Sequence, residues 1–256
     1  MLSAWWDGDA DGVVNMAADE ALGAVAERGG EPLIRFYGWS EPTVSLGAFQ
    51  RLADARAIPD IAAASLVRRP SGGGAIVHGS DLTYALAVPK THPLGQTAQL
   101  LYTAAHETLA SVLQGHGIAA RLFADPPHDA DFLCFSRRAG GDLVVAAAGR
   151  QPTAADPKVM GSAQRRLAGA VVQHGSLLLR ANAGVGPAAR HAGLEDLHAD
   201  LRSLDLRQLA TAWLDRLARR LGGDFHWEDG RFTTACSAEA AARTQAYADP
   251  RWLSRR

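Results

Sequence analysis

The chain has 256 residues, 47% of them hydrophobic and 21% charged, with a formal net charge of -1. That length suffices for one large core, and the balanced charge argues against a nucleic-acid binder, which carries a basic excess. Two cysteines, Cys134 and Cys236, fall short of a disulfide framework, the start lacks the basic and apolar regions of a signal peptide, and no apolar run approaches the ~20 residues that span a bilayer; a reduced, cytoplasmic protein is expected.

Taken in order, Val14, Ala17, Ala21, Leu22 and Val25 recur at helical spacing and predict a helix over 13–28, stopped by Gly29-Gly30. "LIRFY" (33–37) and "TVSLG" (43–47) read as strands parted by a Trp-Ser-Glu-Pro turn. "SLVRR" and "GAIVHGSDLTYALAV" read as strands on either side of a glycine turn, and "TAQLLYTAAHETLASVLQGHGI" as a second helix ended by Gly115 and Gly117. From about 125 to 157 the chain is loop-like, interrupted by one strand, "DLVVAAA" (142–148). "KVMGSAQRR" and "AVVQHGSLLLR" predict a hairpin around Leu167-Ala168-Gly169, and from Leu204 the spacing is helical. Strands come in neighbouring runs, so the expected class is α+β: a mixed, largely antiparallel sheet flanked by helices. Residues 1–256 read as a single domain, with 180–256 as a helical annex and no separate accessory domain.

Three constellations bear chemistry. "RRPSGGG" (68–74) sets two arginines before three glycines; it is neither a Walker A loop nor a dinucleotide fingerprint. Glycines let successive backbone N–H groups approach an oxygen-rich ligand, and a plain glycine turn explains the stretch equally well. Strand alternation there should send one of Arg68 and Arg69 outward. "DPKVMGSAQRR" (156–166) places Lys158, with Lys90 the chain's only lysines, before a Gly-Ser-Ala step; such a point charge holds a carbonyl oxygen or favours a thiolate, or simply decorates a surface. "FLCFSRR" (132–138) places Cys134 beside two arginines, where it is either a small buried hydrophobe or an activated thiol. Cys236 fits packing at a helix start. The histidines show no metal-ligand spacing. Ser71, His78 and Asp81 lack the elbow of a hydrolase triad, and His78 and His174 suit hydrogen-bonded sheet positions.

Together "NMAADEAL" (15–22), "IRFYGWSEPTVSLGAFQ" (34–50), "RRPSGGGAIVHGSDLTYALAVP" (68–89), "KVMGSAQRRLAGAVVQHGSLLL" (158–179) and "YADPRW" (247–252) resemble the lipoate–protein ligase A/octanoyltransferase family, relatives of biotin protein ligases. The resemblance covers nearly the whole chain. It implies a class II synthetase-like, biotin protein ligase-like fold and acyl transfer of octanoate or lipoate onto a lysine of a lipoyl domain. It implies that Arg69, Ser71, Gly72, Gly73 and Gly74 line the acyl and head-group site. Lys158 would sit over the reacting carbonyl, with Gly161, Ser162 and Ala163 walling the pocket. His78 falls at the family's His-acidic step, but residue 79 is glycine here, and Asp81 is the nearest acid that could take over.

The "CF" at Cys134 resembles the octanoyltransferases that pass through a cysteine thioester, whereas ATP-dependent ligases need no cysteine and often carry a further C-terminal domain. The segment between Cys134 and Lys158 is longer than usual for the family. The implied activity is transfer of octanoyl from acyl-carrier protein to lipoyl domains (glycine cleavage H protein or 2-oxoacid dehydrogenase E2), with no metal and no cofactor. A lipoyl-domain amidotransferase, an ATP- and Mg-dependent ligase and a non-catalytic lipoyl-domain binder are the rivals. Neither nucleic acid nor membrane is an expected partner.

Overall fold

The structure, a computed structural model, describes residues 1–125, 131–147 and 149–255. Its strands are β1 (Leu2–Ala10), β2 (Leu33–Trp39), β3 (Thr43–Leu46), β4 (Ser65–Arg68), β5 (Ile76–His78), β6 (Asp81–Pro89), β7 (Ala120–Leu122), β8 (Leu143–Val145), β9 (Lys158–Arg166), β10 (Ala170–Leu178) and β11 (Phe225–Trp227). The helices are α1 (Gly12–Gly29), α2 (Leu52–Arg56), α3 (Pro93–Gln96), α4 (Ala98–Gly115), α5 (Leu194–Leu197), α6 (Leu206–Arg220), α7 (Phe232–Ala235), α8 (Ser237–Ala248) and α9 (Pro250–Ser254).

Among the described residues the main sheet has eight strands in the order β11-β1-β2-β6-β10-β9-β8-β7. β1 runs parallel to β11 and β2, and every other neighbouring pair is antiparallel. The α+β class and the largely antiparallel sheet are therefore as the sequence predicts. Ile34 and Phe36 of β2 face the core built with α4 and α6, while Leu33 and Tyr37 face α1 and α8, the two-residue alternation of a strand covered on both sides. Asp11 caps α1 by accepting from the Val14 N–H, and Gly30 closes it in the left-handed region. Thr97 caps α4 in the same way.

The second sheet, β4-β3-β5, positions the site. β4 and β5 both pair with β3, not with each other, so residues 69–75 cross over the end of β3 instead of making a simple hairpin turn. "GAIVHGSDLTYALAV" is also not one strand: the chain breaks at Gly79, whose φ of 118° favours glycine, and β5 and β6 join different sheets. β1, β7 and β11 add strands where none was expected, and β11 ties the supposed helical annex into the main sheet. The strand expected at 142–148 is confined to Leu143–Val145; residues 126–130 and 148 of the expected loop and strand lie outside the described residues. The hairpin at 167–169 stands as expected, with Leu167 N–H donating to Ala170 O.

Candidate active site

Cys134 begins a single 3-10 turn, Cys134–Ser136, immediately after a bridge between Leu133 and Ala75. Its N–H donates to Ala75 O at 2.7 Å, and Ala75 N–H donates to Phe132 O at 2.9 Å. The thiol segment is thereby laced to the end of the glycine crossover. The approach is so close that a Cβ on Gly74 would lie 2.9 Å from Cys134 N and 3.0 Å from its Cα.

Lys158 opens β9 and is buried at 4% exposure. Its Nζ lies 3.5 Å from Cys134 Sγ and 3.2 Å from Cys134 O, and 2.8 Å from Asp142 Oδ2. Burial works against its charge, but Cys134 and Asp142 outweigh burial and raise its pKa above the ordinary lysine value. Gly161 makes room for this side chain, since a Cβ there would fall 2.5 Å from Lys158 Cε. Asp142 also accepts from Tyr102 OH at 2.9 Å and from Ala139 N–H at 2.7 Å. The long segment before Lys158 thus does not separate the thiol from the amine.

Both arginines of the doublet turn inward, at 0% and 2% exposure, contrary to the alternation expected of them. β4 ends at Arg68, and the bend after it frees Arg69 from strand geometry. Arg68 donates to the carbonyls of Gly47, Gln50 and Leu253. Arg69 donates to Ser45 O, Gly72 O and Gly74 O, each at 2.7 Å, bracing the crossover from within. Burial drops its pKa to about 10 although Cys134 opposes the shift. Gly73 takes a φ of 93°, again a glycine conformation.

Gly73, Gly74, Cys134, Lys158, Ser162 and Ala163 line one cavity of about 380 Å³, together with Tyr102 and Asp142. Ser162 Oγ is held by His106 Nε2 at 2.7 Å and Tyr84 OH at 2.8 Å. Ala163 also borders a smaller cavity of about 20 Å³, walled by Met16, Tyr37, Trp39 and Ile76, with room for about one water.

Ser71 and His78 belong to two buried relays beside that smaller cavity, not to one triad. His174 Nδ1 donates to Asp19 at 2.9 Å, which leaves Nε2 to accept from the Ser71 hydroxyl. His78 Nδ1 donates to Asp81 Oδ2 at 2.8 Å, and its Nε2 meets Ser45 Oγ at 2.9 Å. Asp81, two residues beyond Gly79, is thus the acid hydrogen-bonded to His78. Burial alone would raise the Asp81 pKa, but His78 and hydrogen bonds from Ser176 and Gly79 N–H hold it below the usual carboxylate range. Cys236 caps α8 and packs against the α1 side of the core.

Asp142, Tyr102, His106 and Asp19 escaped the sequence reading. Asp142 sits at the head of an apolar strand run, where a buried acid is unusual, and that was the one available signal. The sequence signature of the lipoyl protein ligase A/B catalytic domain spans residues 11–194. The chain belongs to this family. Family relatives include the octanoyltransferase LipM of Staphylococcus aureus, 36% identical over 184 residues, covering 67% of this chain and 63% of that protein. The octanoyltransferase LipM of Macrococcus caseolyticus is 35% identical over 180 residues, 64% of this chain and 60% of that protein. The chain thus spans about three fifths of the length of the curated relatives it matches.

Among solved structures, protein Ta0514 from T. acidophilum superposes with a TM-score of 0.74 at 20% identity over 99% of both chains. A lipoate-protein ligase A bound with ATP superposes at 0.71 with 21% identity, again over 99% of both. These likenesses establish that the family fold extends through the C-terminal helices. No described helix is long and apolar enough to cross a membrane.

Proposed function

We propose that this protein is an octanoyltransferase that carries an octanoyl group from the thioester of an acyl-carrier protein, through a thioester on Cys134, to a lysine of a lipoyl domain. The observation that carries the reading is the Cys134 Sγ–Lys158 Nζ pair at 3.5 Å, facing a cavity of ligand size beside the glycine crossover. The curated relatives named octanoyltransferase supply the acyl group.

The ammonium of Lys158 stabilises negative charge on Sγ, which attacks the donor thioester carbon. The C–S bond to the carrier breaks with its electron pair on the carrier sulfur, which takes up the proton that the Cys134 thiol has given up and departs as a thiol. Lys158 then faces the developing oxyanion; donors so placed are worth about 3 kcal/mol each. In the second half-reaction the acceptor amine displaces Cys134. The donor thioester is already activated, so the chemistry calls for neither ATP nor a cofactor. Arg137 and Arg138 at the cavity rim suit acidic protein partners, and a cytoplasmic setting suits a free thiol.

The test is incubation with octanoyl acyl-carrier protein, followed by mass spectrometry and transfer to an apo lipoyl domain. The expected result is a hydroxylamine-labile octanoyl adduct on Cys134 and ATP-independent transfer, both lost in Cys134→Ala. Full transfer by Cys134→Ala, or transfer that requires ATP and free lipoate, overturns the reading.

A further inference from the structure

Lys158 Nζ has three acceptors within reach: Asp142 Oδ2 at 2.8 Å, Cys134 O at 3.2 Å and Cys134 Sγ at 3.5 Å. An ammonium has three N–H bonds and satisfies all of them. A neutral amine has two, and its lone pair would then point at a carboxylate, a carbonyl or a sulfur. The carboxylate is equally committed. Asp142 accepts from Lys158, Tyr102 OH and Ala139 N–H, is 1% exposed, and lies in a turn that His106 fixes by hydrogen-bonding Gly141 O at 2.7 Å. Neither partner can swing away without leaving a buried charge unpaired.

We infer that Asp142 is a positioning residue that keeps Lys158 a permanent ammonium, so that the proton shed by the attacking amine leaves on Cys134 and not on Lys158. The inference rests on the transferase reading. In the second half-reaction the acceptor nitrogen forms the C–N bond to the acyl carbon. The C–S bond breaks with its electron pair going to Sγ, and the amine proton moves to Sγ, restoring the Cys134 thiol. Lys158 enters and leaves the step as –NH3+, stabilising first the oxyanion and then the departing sulfur.

The other groups around the amine come from several elements. His106 of α4 and His191 of the segment following β10 act on the amine itself, Tyr102 of α4 and Arg138 of the loop after Cys134 act on Asp142, and Arg69 acts on Cys134. Burial drives His106 down to about 4 and Tyr102 well above 10. Neither changes charge between pH 7 and 9, and Arg69, at about 10 beside Cys134, stays mostly cationic over that range.

The experiment reads Lys158 itself. Protein acylated on Cys134 with octanoyl-N-acetylcysteamine is deacylated by hydroxylamine, which is a neutral nucleophile throughout this range. The wild-type rate should be flat from about pH 7 to 9, below the titration of Arg69. In Asp142→Asn a falling limb should enter that range, because removing an adjacent opposite charge lowers an ammonium pKa by about 1–3 units. Identical profiles in the two proteins overturn the inference; a merely structural loss lowers the whole curve without moving its limb.

Should Asp142→Asn fail to fold, the wild-type protein decides. With Lys90 and Lys158 its only lysines, [13Cε]lysine labelling gives two signals, assigned with Lys90→Arg. The Lys158 resonance should hold its ammonium position to about pH 10, and titration below about pH 9 overturns the inference. Absence of any acyl adduct on Cys134 would instead strike the transferase reading, and the lysine titration does not depend on it.

Discussion

Gly161→Ala isolates the placement of Lys158 from its chemistry. The new Cβ would stand 2.5 Å from Lys158 Cε, 2.8 Å from Nζ and 3.3 Å from Asp142 Oδ1. Carbon atoms settle near 3.5–4.0 Å apart, so the amine must retreat by about 1 Å. The side chain gives way before the backbone, since β9 is fixed between β8 and β10, and the retreat stretches the buried Lys158–Asp142 pair. A shift of about 1 Å in a reacting group costs on the order of 100-fold, or about 2.7 kcal/mol of barrier. Stability should fall by about 1–3 kcal/mol, because the methyl overpacks the buried pair even though the extended backbone at 161 accepts alanine. Rapid-quench measurement of Cys134 acylation, beside a urea unfolding curve, checks both halves. Acylation within about threefold of wild type would refute the reasoning, because a Lys158 displaced by that distance cannot serve as before.

Two further expectations concern neighbouring positions. In Gly74→Ala the intruding Cβ meets only backbone, Cys134 N at 2.9 Å, its Cα at 3.0 Å and Phe132 O at 3.1 Å, so the crossover must separate from the thiol segment. Loss of acylation with a destabilisation of about 1–3 kcal/mol should follow, read from urea midpoints. His106 is buried neutral, its pKa lowered from 6.5 to about 4 by burial against the raising pull of Asp142. A depressed pKa means that the unfolded chain takes up the proton first, so stability is full above pH 6.5 and falls towards pH 4. The loss is on the order of 3 kcal/mol, and unfolding midpoints for wild type should drop across that window while those of His106→Gln stay flatter.

How far the sequence carried the fold depended on where local pattern and final structure coincide. α1, α4 and the β9–β10 hairpin bury regular faces between strong stop signals, so Ala17, Ala21 and Leu22 and the glycine stops after each helix announced them. β1 hid because Asp7 and Asp9 interrupt its apolar run; Asp7 is paired internally with Arg35 at 2.6 Å, a partner that no local window contains. The glycine crossover looked like a hairpin because its intervening strand, β3, lies about twenty residues upstream in sequence. Cys134, Lys158 and the glycines were legible as unusual residue types in motifs. His174 was legible as a hydrogen-bonded sheet residue, but Asp142 and Asp19 were not, since their meaning comes from contacts with Lys158 and His174, distant in sequence.

Arg68 has a consequence for how the molecule matures. Its guanidinium meets the Leu253 carbonyl across 185 residues of sequence, and the Trp252 indole N–H answers by donating to Arg68 O at 2.9 Å. Contacts so distant in sequence close late, because the loop entropy must be met before they stabilise anything. A growing chain can therefore complete β2, β6, β9 and β10 while the base of the glycine crossover still lacks its last hydrogen-bond partner. Assembly of the central strands and bracing of the glycine crossover are separate events in the life of the chain, and α9 marks the interval between them.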